Sequence, residues 1–323
     1  MFARPPFDPE CAAVLAELRS VLPPTITPDM IQTVRTTRAP LLAQLEADLR
    51  ADAGSDYRLE DRRIPGPPGQ PELLVSVLRP GGPTTSGLGV CFLHGGGMFL
   101  GNRFQGASQL VDWVTSVGAV VVTVEYRLAP EHPHPAPVED CYAGLHWTAE
   151  HADELGIDPK RLVVAGASAG GGLAAGTALL ARDRGGPALA GQLLIYPMLD
   201  DRNNTASANQ FEGIGVWDRG SNQTGWTALL GEQRGSDSVS PYAAPARATD
   251  LSGLPPTFID VASTETFRDE CVGYASALWL AGVPAELHVW PGGFHGFDLF
   301  APSARISGQA REARIAWLNR LLG

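Results

Sequence analysis

The chain has 323 residues, 44% of them apolar and 18% charged, a balance that suits a globular fold and excludes a disordered or fibrous one. Its 35 acidic and 24 basic residues leave a formal charge of −11, which removes the general attraction that nucleic acid or an anionic lipid surface requires. The length allows two domains or one large α/β domain with a lid, and 37 glycines and 27 prolines point to many turns.

In chain order, residues 9–20 and 28–50 carry helical patterns, and the first 60 residues contain no strand signal. Three prolines and no apolar core precede Cys11, so no secretory signal is expected and a cytoplasmic location is the default. From Glu72 onward, β-branched apolar runs alternate with helical segments, the pattern of βαβ units around a mostly parallel sheet. The predicted strands are 73–78, 88–93, 119–124, 162–165, 192–196, 257–261 and 286–290. The predicted helices are 108–117, 138–155, 169–184, 270–281 and 303–322, several ending near a glycine such as Gly118, Gly156 or Gly282. Residues 162–181 lack charge, but their Gly/Ala content and strand-turn-helix pattern make a poor membrane span. Cys11, Cys91, Cys141 and Cys271 form no C-x-x-C pair and read as reduced structural thiols.

Two regions interrupt the alternation: the helical first 60 residues, and a polar Gly/Asn/Ser-rich insertion at about 200–250. The insertion follows the C-terminal end of a strand, where open α/β sheets bind ligands, so both regions are expected to cap a site on a catalytic domain spanning 61–323.

The strand 162–165 runs through Gly166-Ala167-Ser168-Ala169-Gly170 into a helix. G-x-S-x-G between strand and helix places a serine on a sharp turn, and the flanking glycines remove the Cβ atoms that would clash there. Ser168 is therefore the candidate nucleophile, with a helix N-terminus to stabilise developing negative charge. A dinucleotide fingerprint, Gly170-x-Gly172-x-x-Ala175, overlaps it, but these glycines follow the turn rather than open it, and no clear acidic residue ends the next strand. Upstream, the strand 88–93 ends in His94-Gly95-Gly96-Gly97, where consecutive glycines let peptide N–H groups face an open site, as an oxyanion hole requires.

These motifs, with Tyr126-Arg127-Leu128-Ala129-Pro130-Glu131, Arg268-Asp269-Glu270 and Phe294-His295-Gly296-Phe297, resemble the hormone-sensitive-lipase-like family of α/β-hydrolase esterases from about residue 70 to the C-terminus. The resemblance implies an α/β-hydrolase fold with a helical cap, and oxyanion N–H donors at Gly96, Gly97 and Ala169, with His94 holding the loop. It also implies short to medium acyl chains, and dimerisation of many relatives along the last strand's edge. The chain departs from it at Ala167, where the family often has aspartate.

The order serine, acid, histidine leaves His288 and His295 as bases. His288 falls inside the strand 286–290, whereas His295 follows it in a loop that can swing over the strand ends, so His295 is the expected base. Four carboxylates compete as the acid. Asp260 lies within a strand, Asp269 and Glu270 open the next helix, and Glu265 alone sits in the loop past the strand end, at a position where the resembling family more often has aspartate. His132 and His134 lie in a proline-studded loop without further metal ligands at a familiar spacing, and Tyr126 and Arg127 read as structural. The expected protein is a serine carboxylesterase acting through an acyl-enzyme on a small ester substrate, with no cofactor or metal and no nucleic-acid or membrane partner. The rival is a non-catalytic small-molecule receptor on the same scaffold; one would expect it to lack a triad member, whereas candidates for all three are present.

Overall fold

Valine- and leucine-rich runs buried on both faces build the centre of the molecule, as parallel strands covered by helices must be. The computed structural model describes residues 3–54, 56–82 and 86–323. Its eight strands are β1 (Tyr57–Ile64), β2 (Leu73–Pro80), β3 (Gly89–Leu93), β4 (Val120–Glu125), β5 (Leu162–Ala167), β6 (Gly191–Ile195), β7 (Thr257–Ala262) and β8 (Ala285–Trp290). They form one sheet in the order β1-β2-β4-β3-β5-β6-β7-β8, antiparallel across the first three and parallel from β4 to β8. The helices are α1 (Pro9–Val21), α2 (Ile31–Asp52), α3 (Ala107–Val117), α4 (Ala136–Glu150), α5 (Ala152–Leu155), α6 (Ala169–Asp183), α7 (Ala206–Gln210), α8 (Arg219–Leu230), α9 (Arg268–Leu280), α10 (Phe297–Phe300) and α11 (Arg305–Arg320). Helices α3 and α11 pack together against the sheet, as do α4 and α6.

This is the α/β-hydrolase architecture expected from the sequence, with one difference in its first 60 residues. The helical stretch ends at Asp52, and β1 begins at Tyr57, where no strand was expected. Five of the eight β1 residues are charged, so alternation of apolar and polar side chains is absent. At the sheet edge such charges are tolerated and discourage pairing with another chain. Arg103 ties this edge inward through Ser76, Glu125 and Asp61 at 2.7, 3.0 and 3.3 Å.

The strand order turns at β3, which lies between β4 and β5, and this reversal opens a crevice at the strand C-termini. Leu93 of β3 pairs with Gly166 of β5, so the glycine loop after β3 and the turn after β5 emerge side by side. Helix α2 is held near that opening by Arg35. The Arg35 guanidinium donates to the carbonyls of Phe99 and Ala129 at 2.8 and 2.7 Å and to both carboxylate oxygens of Glu131. The 200–250 insertion supplies α7 and α8, and Gly225 of α8 approaches the Gly97 carbonyl closely enough that a Cβ there would lie 2.7 Å from it.

Candidate active site

The turn after β5 presents Ser168 with φ 58° and ψ −119°, a conformation that costs a non-glycine residue about 1–3 kcal/mol. Hydrogen bonding over-determines it: the Ser168 N–H donates to the Ile195 carbonyl at 2.8 Å, and its own carbonyl accepts from Met198 and Gly172 at 2.9 and 3.1 Å. Gly170 is required by space, since a Cβ would sit 2.0 Å from the Leu93 carbonyl oxygen. The first turn of α6 thereby presses against the end of β3.

Ser168 Oγ lies 2.8 Å from His295 Nε2, and His295 Nδ1 contacts Glu265 Oε2 in a short hydrogen bond. Glu265 is 2% exposed, and its other oxygen accepts from the Ala262 N–H at 3.1 Å. The histidine ring is clamped edge-on by Tyr196 and Phe267, with centroids at 4.9 and 5.0 Å. A carboxylate on Nδ1 leaves the Nε2 lone pair toward the serine, so the three groups can pass a proton from Oγ to the ring and stabilise the imidazolium.

The other acids named from the sequence are engaged elsewhere. Asp260, buried in β7, accepts from Arg314 at 2.7 and 2.9 Å and from the Trp290 indole at 3.0 Å. Asp269 accepts from the Ser207 N–H, and Glu270 from those of Leu199 and Asp200. His288 contacts Glu286 within β8. Arg127 grips Asp140, and Tyr126 donates to the His94 carbonyl at 2.7 Å. All four cysteines are free and buried.

The loop after β3 passes beside the serine with Gly96 at φ 124° and Gly97 at φ 60°, conformations that favour glycine. Gly97 has a second reason to lack a side chain, because a Cβ would fall 2.1 Å from the Trp217 ring. Among the described residues, no acceptor engages the N–H groups of Gly96, Gly97 or Ala169. His94 stacks on Tyr126 at 4.2 Å and its Nδ1 meets the Gly95 carbonyl at 2.7 Å. Burial depresses its basicity, keeping the ring neutral inside the loop.

A cavity of about 360 Å³ opens over Ser168 and His295, walled by Trp217, Phe300 and, from α2, Leu42 and Leu45. Sequence reasoning did not single out Trp217, Tyr196 or the α2 face. A tryptophan amid the polar insertion was the available signal for Trp217; Tyr196 at a strand end carried no distinguishing pattern.

Fold and site together define an ester-cleaving α/β-hydrolase. The chain belongs to the alpha/beta hydrolase fold family, whose model matches residues 90–299, in its hormone-sensitive-lipase-like branch. It is 36% identical over 323 residues to carboxylesterase NlhH of Mycobacterium tuberculosis, covering 99% of this chain and 98% of the relative. Carboxylic ester hydrolase LipN of the same organism is 39% identical over 290 residues, 86% of this chain and 76% of that one. Among solved structures, a bacterial heroin esterase matches with a TM-score of 0.89 at 39% identity, covering 98% of both chains. Esterase LipW from Mycobacterium marinum matches at 0.87 and 34%, again over 98% of each. The chain is a serine esterase, a carboxylic ester hydrolase.

Proposed function

We propose that this esterase works through an acyl-enzyme on Ser168, with His295 as base, Glu265 as its orienting acid and the N–H groups of Gly96, Gly97 and Ala169 as the oxyanion hole. The observation that carries the reading is the 2.8 Å contact of Ser168 Oγ with His295 Nε2, backed by Glu265 on the other ring nitrogen. Oγ attacks the ester carbonyl carbon as its proton passes to Nε2, and the carbonyl electrons move onto the oxyanion. Collapse of that intermediate breaks the bond to the alcohol oxygen, which leaves with the proton from Nε2. Water, deprotonated by the same nitrogen, attacks the acyl carbon; collapse returns the proton to Oγ and releases the acid. Backbone donors fixed by the fold would need no reorganisation at the moment of reaction.

The substrates are carboxylic esters with short to medium acyl chains, a reading supported by a cavity of about 360 Å³, near the lower end of the roughly 300–1,000 Å³ of small-molecule sites. The helices before β1 and the 200–250 insertion cap a catalytic domain whose sheet starts at Tyr57. The protein acts in the cytoplasm, where four free thiols stay reduced; fractionation that recovers it outside the cytoplasm overturns that part. A homodimer along the edge of β8, where Val289 is 41% exposed, completes the reading, and a monomer by sedimentation refutes it. The central experiment compares hydrolysis of para-nitrophenyl acetate and butyrate by wild type and Ser168→Ala. The variant keeps its fold and loses activity by at least about a thousandfold; an alanine variant with most of its activity means the nucleophile lies elsewhere.

A further inference from the structure

The wall of the catalytic cavity carries one permanently charged side chain. Arg38, Leu41, Leu42 and Leu45 all line it from α2, at the i, i+3, i+4, i+7 spacing that places them on one helix face. Three of the four are leucines, Leu42 and Leu45 half-buried and Leu41 61% exposed. The fourth carries a guanidinium, which stays charged throughout the working pH range.

Among the described residues nothing hydrogen-bonds or ion-pairs with that guanidinium, and no carboxylate lines the cavity, so Arg38 is its only formally charged wall. Arg35, one turn earlier on α2, is saturated by Glu131 and two backbone carbonyls, so anchoring of the helix does not need Arg38. Partial burial lowers the basicity of Arg38, and no carboxylate offsets that shift. Arg38 is half-buried, and among the described residues its guanidinium meets none of the chain's 35 acidic side chains.

We propose that Arg38 is a specificity-determining residue that binds an anionic group, a carboxylate carried by the ester substrate, so that the enzyme discriminates in favour of half-esters or acid-bearing esters over neutral ones. The guanidinium fork matches a carboxylate in two parallel hydrogen bonds, in a pocket where such bonds are stronger than in water. The inference rests on the serine-esterase reading and adds to it the chemistry of the remote end of the substrate.

The test uses two matched pairs of esters. Para-nitrophenyl hexanoate against the para-nitrophenyl half-ester of adipic acid places the carboxylate on the acyl side. Phenyl butyrate against meta-carboxyphenyl butyrate places it on the alcohol side. For each pair the ratio of kcat/KM, charged over neutral, is measured for wild type, Arg38→Met and Arg38→Lys. In one pair the ratio falls about tenfold or more in Arg38→Met, chiefly through KM, and is partly restored in Arg38→Lys. The wild-type ratio in that pair also declines as salt is raised. Loss of packing alone would slow both members of a pair together and leave the ratio unmoved. Ratios within about twofold of wild type in both pairs overturn the inference while leaving the esterase intact. If Arg38→Met does not fold, a wild-type ratio insensitive to salt in both pairs overturns it equally. A wild type that cleaves neither member of either pair overturns the esterase reading and this inference with it.

Discussion

Glu265 is one methylene longer than aspartate and reaches His295 Nδ1 from a backbone that also spends its other carboxylate oxygen on the Ala262 N–H. Replacing it by glutamine keeps the length but lets the amide donate to Nδ1, which favours the tautomer with its proton on Nε2, the atom proposed to receive the serine proton. Glu265→Gln is expected to lower kcat by about 10³–10⁴-fold, as such a tautomer change does in serine hydrolases. Glu265→Asp withdraws the carboxylate by about an ångström, and a misplacement of that size costs about a hundredfold. Steady-state kinetics on para-nitrophenyl butyrate checks both, and near-wild-type rates in both would assign the acid wrongly. These residues were legible because each sits on a loop at a strand's C-terminal end, in an order that chain connectivity constrains. Trp217, Tyr196 and Arg38 were not, because what brings them to the cavity is the packing of the insertion and α2 over the sheet.

Helix α2 is tied to the loops beside the site chiefly through Arg35, with Gln32 adding a bond to Glu131. Arg35 joins it to the Phe99 carbonyl just beyond the glycine loop, to the Ala129 carbonyl and to Glu131. Arg35 holds the Glu131 carboxyl down at about 2. A carboxylate with its folded value below the unfolded one lends its stability fully above the unfolded value and loses it as pH falls through the folded one. The tether therefore stays intact across the range in which the enzyme is assayed. Arg35→Ala is expected to raise KM for hexanoyl and octanoyl esters several-fold, with a smaller effect on acetyl esters, because α2 supplies Leu42 and Leu45 to the far wall of the cavity. The size of the effect is the same at pH 5.5 and pH 8 if the pair is as described; an unchanged chain-length profile would make α2 a structural element only. At this scale the parallel strands were readable from apolar β-branched runs bounded by turns. Strand β1 was not, since its five charges suit a sheet edge and erase the alternation by which a strand is recognised.

The molecule as a whole couples its acidic groups to folding with opposite signs, and Glu270 is the clearest case. It is buried on α9, one oxygen accepts from the N–H groups of Leu199 and Asp200 at 2.7 and 3.3 Å, and the other has no hydrogen-bond partner among the described residues. Through those bonds it joins the start of the 200–250 insertion to the C-terminal half of the domain. Burial pushes its carboxyl well above the ordinary carboxylate range, the two N–H groups opposing the shift and the nearby Asp200 adding to it. With the folded value above the unfolded one, the folded state binds more protons, so Glu270 favours folding at low pH and costs stability as pH rises. Glutamine keeps a carbonyl acceptor for both N–H groups but never ionises. The expected result is a pH-dependent difference: the Tm of Glu270→Gln minus that of wild type increases from pH 5 to pH 8, whatever its absolute sign. Calorimetry or circular dichroism at matched ionic strength reads it. A difference that is flat with pH, or that shrinks as pH rises, would mean Glu270 is ionised in the fold at little cost, and that the junction between insertion and catalytic domain carries a charge where its single pair of N–H donors was taken to hold a neutral acid.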